Sequence, residues 1–116
     1  MTTAPTKRLT LKERRGQILD AALELAARDG YQNITRETVA ARAGCSNGLV
    51  TERFGTMGQL KRAVIRAAVA RAADPMRDDA PTGILRIIAQ ALADGNDHAK
   101  KAPAALRERA LATLGV

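Results

Sequence analysis

A chain of 116 residues with 46% apolar but only 2% aromatic side chains has room for one core, and its Ala- and Leu-rich composition suits closely packed helices better than strands. One cysteine and one histidine exclude an internal disulfide and a thiolate metal cage within the chain. The net charge of +7 is unevenly placed: residues 1–73 hold thirteen Lys and Arg against six Asp and Glu, and residues 74–116 hold six against six. A polyanion is the natural partner of that first part, because each cation set against a phosphate releases counterions; a solvated basic surface is the alternative reading.

Residues 1–9 have no apolar period and carry Pro5, Lys7 and Arg8, which predicts a flexible basic arm. Thr10 with Glu13 three residues on forms a capping box that opens a first helix, where Ile18, Ala22 and Leu25 follow at helical spacing. Gly30 ends it, and Tyr31 is expected to fold back on its last turn. A short second helix runs from the cap Thr35 to Ala43 with Val39, Ala40 and Ala43 inward, and Gly44 stops it. Ser46 caps a third helix in which Val50 and Phe54 face inward and Asn47, Thr51 and Glu52 outward. Thr56 and Gln59 form another capping box, opening a fourth helix with two apolar stripes, Leu60/Val64/Ala67 and Ile65/Val69/Ala72, and therefore two packing partners. Pro75 ends that helix near Asp74, and residues 75–81 read as a linker. Ile84, Ile87, Ile88 and Ala91 mark an amphipathic fifth helix to about Gly95. A polar loop leads to a sixth, with Pro103 in its first turn and Leu106, Ala110 and Leu114 on one face.

Two short helices joined by a Gly-containing turn and braced by a longer one make a helix-turn-helix unit, whose second helix fits the major groove. The expected fold is all-α: a three-helix head over 10–73 with a long connecting helix, and a short helical hairpin over 74–116. The run from Thr35 to Leu49, Thr-Arg-Glu-Thr-Val-Ala-Ala-Arg-Ala-Gly-Cys-Ser-Asn-Gly-Leu, followed by Phe54 and Leu60, resembles the signature of TetR-family transcription regulators. The likeness extends from about Thr10 to Ala73. It implies that Thr35 and Arg36 meet the DNA backbone, that Ser46 caps the recognition helix, and that Asn47, Gly48, Leu49, Thr51 and Arg53 approach DNA. Asn47 would pair with adenine and Leu49 would touch a thymine methyl. Arg53 would read guanine, the alternative being a solvated or phosphate-bound side chain.

The sequence departs from the family's pattern in four respects. Thr51 stands where a phosphate-contacting Tyr is usual, Glu52 brings a negative charge to the DNA side, and Met57 replaces a common Lys, for which Lys61 or Arg62 is a candidate substitute, an ordinary exposed Lys61 being the simpler reading. The fourth is length, since only 43 residues follow the head and two helices cannot enclose a pocket of roughly 300 Å³ or more. They can pair across a two-fold axis as a four-helix bundle, which makes Ile84, Ile87, Ile88, Ala91, Leu106, Ala110 and Leu114 the expected dimer interface. Ile84, Ile87 and Ile88 covering their own head is the alternative.

No catalytic constellation is evident, and no metal or cofactor is expected. Asp94, Asp97 and His98 read as ordinary loop residues, and Cys45 as packing between the two helices. Met1–Arg8 lack the apolar stretch of a secretory signal, and no segment approaches the roughly 20 apolar residues of a bilayer span, so the expectation is a cytoplasmic protein without membrane contact. The leading reading is a homodimeric repressor on a palindromic operator in double-stranded DNA, controlled by its own concentration or by a partner protein. An architectural or replication accessory DNA-binding protein is the second reading, and a protein-interaction module the third.

Overall fold

Side-chain caps set the helix boundaries in the head. In the computed structural model, which describes residues 10–73 and 82–113, Thr10 accepts from the Glu13 amide (3.1 Å) while Glu13 accepts from the Thr10 amide (2.9 Å), and α1 (Leu11–Asp29) begins there. The single 3-10 turn Tyr31–Asn33 follows Gly30. Thr35 and Thr38 cap each other's amides at 3.1 Å to start α2 (Arg36–Ala43), and Ser46 accepts from the Leu49 amide at 3.1 Å to start α3 (Asn47–Phe54). The Thr56–Gln59 box, at 2.9 and 3.2 Å, precedes α4 (Met57–Ala73). Gly44 is left-handed (φ 74°, ψ 36°), which lets the chain reverse between α2 and α3 while the Cys45 amide still reaches the Ala40 carbonyl.

Beyond residue 81 the chain forms α5 (Thr82–Ala93), α6 (Asp97–Lys100) and α7 (Ala104–Ala112). The expected polar loop thus contains a one-turn helix. Asn96 accepts from the Ala99 amide at 3.0 Å, and Ala99 is wholly buried. Pro103 is the residue before α7 rather than within its first turn. The basic arm at 1–9, the helix stop at Asp74, the linker 75–81 and Leu114 lie outside the described residues.

One continuous apolar cluster joins the helices on both sides of residues 74–81: Ile18 and Leu23 of α1, Leu60, Val64 and Ile65 of α4, and Ile87 and Ile88 of α5 are all enclosed. Both stripes of α4 are used, since that helix packs on α1 and α3 and also on α5 and α6. α5 lies against α1, α4 and α7 and is apolar round most of its circumference, the pattern of an interior helix. Of the expected dimer-interface residues, Ile84, Ile87, Ile88, Ala91, Leu106 and Ala110 are buried within their own chain. The physical reason is that α1 and α4 offer α5 a ready apolar face, so the hairpin closes on its own head. Gly83 makes the approach to α1 possible, because a Cβ there would stand 2.7 Å from the Ala27 Cβ.

A polar link at the end of α5 reinforces that closure. The buried Tyr31 donates its hydroxyl to the Asp94 carboxylate, and Gln32 Nε2 donates to the same oxygen at 3.1 Å. Burial, with the Asp94 hydrogen bond adding to it, lifts the Tyr31 hydroxyl to about 12, while the bonds from Tyr31 and Gln32 lower the Asp94 carboxyl. The folded chain therefore favours protonated Tyr31. That stabilisation is present below pH 10.0 and is lost as pH rises from there through about 12; the Asp94 contribution is present above pH 3.8 and is lost as pH falls through its lowered value. Tyr31→Phe is expected to lower the urea midpoint at neutral pH, with the gap to wild type closing in strong alkali. A gap unchanged across that alkaline range would assign the loss to packing instead of the hydroxyl.

Candidate nucleic-acid interface

α3 divides cleanly into two sides. Val50 and Phe54, one turn apart, are buried against the head, whereas Asn47, Gly48, Thr51 and Glu52 are exposed. Leu49 is half-buried at the edge and packs on the core. The Thr51 hydroxyl donates back to the Asn47 carbonyl (3.3 Å), so of this pair only Asn47 has its whole polar head turned outward. The exposed side of α3 thus offers one amide, one glycine without a side chain and one threonine methyl, with a carboxylate beside them.

Thr35 and Ser46 are exposed but spend their oxygens on the caps of α2 and α3. Arg36, at the first position of α2, is half-buried, and its Nε has no hydrogen-bond partner among the described residues. The Lys61 ammonium stands 3.4 Å from Gln32 Oε1 and is drawn toward the Tyr31–Asp94 link. Met57 packs on the core, which explains why an apolar residue is accommodated there. Cys45 likewise packs against the core between α2 and α3, half-buried.

Arg53 is not brought together with Asn47, Gly48 and Thr51. At 3.6 residues per turn it leaves α3 from the flank away from them. Only 22% of its side chain is exposed; it pairs with Glu52 at 3.5 Å and lines a cleft with Arg15, Arg62 and Arg66. The geometry therefore does not support Arg53 as a reader of bases alongside Asn47. A helical wheel carries this information, because positions 49 and 53 share a side that 47 and 51 do not. Arg15 had no local signal at all: its guanidinium lies over the Phe54 ring at 4.6 Å, across a separation in sequence that periodicity cannot bridge.

The sequence profile of bacterial regulatory proteins of the tetR family matches residues 18–64, from the middle of α1 to the second turn of α4. Residues 18–64 form a TetR-family N-terminal domain. The TetR-type head is a helix-turn-helix domain, the DNA-binding part of a family of bacterial transcription regulators. No curated protein matches the chain closely enough to count as a relative. Among the described residues no group of three His, Cys, Asp and Glu side chains could hold a metal, and no helix is long and apolar enough to cross a membrane.

Proposed function

We propose that the chain is a sequence-specific regulator that inserts α3 into the major groove and represses transcription by occupying an operator. The observation that carries this reading is the outward side of α3, where Asn47, Gly48 and Thr51 stand on a helix capped by Ser46 within a TetR-type head. Asn47 supplies a bidentate contact to adenine, Gly48 admits close approach to the groove wall, and Leu49 and Thr51 supply methyl contacts. Thr35, Arg36 and Lys61 meet the flanking phosphates.

Two copies bind an inverted repeat, each head taking one half-site a helical turn from the other. With the inner side of the C-terminal hairpin consumed within the chain, the surface offered to a second copy is the outer side of α7. Leu111 is 45% exposed there, with exposed Ala104 two turns before it on the same side.

Selection of bound fragments from random duplex DNA tests the reading. A sharp inverted repeat is expected, and Asn47→Ala should lower affinity for the best site by roughly 1–3 kcal/mol while relaxing preference at one base pair per half-site. A weak preference in place of a repeat would favour an architectural role, and no enrichment would remove DNA from the function. Loss spread evenly over all sequences in Asn47→Ala would assign that residue to the backbone.

A further inference from the structure

The cleft between α1, α3 and α4 concentrates positive charge in a way that DNA reading by the outward side of α3 does not explain. Four arginines, Arg15, Arg53, Arg62 and Arg66, surround about 380 Å³ floored by Ala63, with the Gln59 amide at one side. No carboxylate lines it, and among the described residues the only acid pairing with any of the four is Glu52, on Arg53. Arg53 Nε is buried without a hydrogen-bond partner among those residues. Guanidinium groups gathered round one concave space repel one another, and each presents a planar fork that matches phosphate oxygens. A duplex is a convex rod and can only lie across the rim of such a cleft, whereas a compact anion can enter it.

We propose that this cleft binds a compact polyphosphate, of the di- or triphosphate class, and that its occupancy weakens DNA binding by drawing Arg53 away from Glu52. The second half rests on the DNA-binding reading above; the first does not. In the free chain Arg53 offsets part of the Glu52 charge on the exposed side of α3. A bound phosphate takes over that guanidinium and adds its own negative charge, so Glu52 faces the DNA backbone unpaired. By linkage, DNA lowers polyphosphate affinity by the same factor. The site supplies small-molecule control in the head itself, without a pocket among α5, α6 and α7.

Calorimetric titration of the full chain with sodium tripolyphosphate, at ionic strength held constant, tests the site. Saturable one-to-one binding is expected, weakened about tenfold by Arg15→Gln and by Arg66→Gln, each of which removes a charge-assisted contact. Arg71→Gln, on the same helix but paired with Asp20, removes equal charge and should leave binding unchanged. Heat that never saturates, or an equal loss in Arg71→Gln, would overturn the site; thermal melts of each variant separate unfolding from lost contacts. In the second arm, tripolyphosphate should weaken binding of the duplex enriched from random DNA about tenfold more than sulfate of matched ionic strength. Glu52→Gln should abolish that extra loss while tripolyphosphate still binds. If Arg15→Gln and Arg66→Gln weakened DNA binding as much as tripolyphosphate binding, the cleft would be a DNA backbone contact and the small-ligand assignment would fall. A chain that binds tripolyphosphate but no DNA would refute the regulator reading and leave the site standing.

Discussion

Ile88→Asp is expected to unfold the chain, not to separate two folded subunits. Ile88 is 0% exposed, and Ile87, Ala89 and Ala91 around it are equally enclosed. A carboxylate there has no partner in an apolar interior, and its burial costs several kcal/mol. Loss of the isoleucine packing adds about 2–5 kcal/mol, so the sum rivals the roughly 5–15 kcal/mol that holds a typical domain together. Far-ultraviolet circular dichroism should show lost helix and no cooperative melt. Ile88→Val, which removes one methylene, should melt cooperatively with a deficit of about 0.5–1.5 kcal/mol. An Ile88→Asp variant that stayed folded with a wild-type melt and had lost only self-association would put that side chain on an outer surface after all.

The second large effect is expected at the joint between the recognition helix and α4. Gly55 has φ 78° and ψ −133°, a combination that a residue with a Cβ adopts only under strain. A Cβ there would also collide with Gln59 Oε1, the atom that accepts from the Thr56 amide and caps α4. Gly55→Ala therefore combines backbone strain of about 1–3 kcal/mol with loss of a cap contributing about 0.5–2 kcal/mol. The urea midpoint should fall accordingly, and affinity for the selected DNA should fall further than stability alone explains, because α3 is aimed by this joint. Gln59→Ala separates the two contributions: it should show the smaller deficit of the cap alone. A Gly55→Ala variant as stable as wild type would mean that the turn relaxes without moving either helix.

The head was legible because its information is local. Thr10, Thr35, Ser46 and Thr56 announce helix starts within four residues, Gly44 announces the turn, and the spacing of Val50 and Phe54 orients α3. The C-terminal hairpin misled for a physical reason: Ile84, Ile87 and Ile88 show that a helix needs an apolar partner, but not which chain provides it. The change in charge balance near residue 74 suggested separation, while the shared core and the Gly83–Ala27 approach join the parts. Tyr31 and Asp94 are 63 residues apart, and neither carries a local sign of the other. The arginine cleft escaped notice for the same reason, since Arg62 and Arg66 are one turn apart on α4 but Arg15 and Arg53 arrive from other helices.

The enclosure of α5 by α1, α4 and α7 has a bearing on how the molecule breathes. Amide protons in the middle of α5 reach water only when α1 and α4 let go of it, so their exchange with deuterium should report the opening of the entire body rather than local fraying. α2 and α3, packed on that same body, inherit its lifetime. A ligand that tightens α3 against α1 should then slow exchange in α5, which packs on two of the helices that line the cleft.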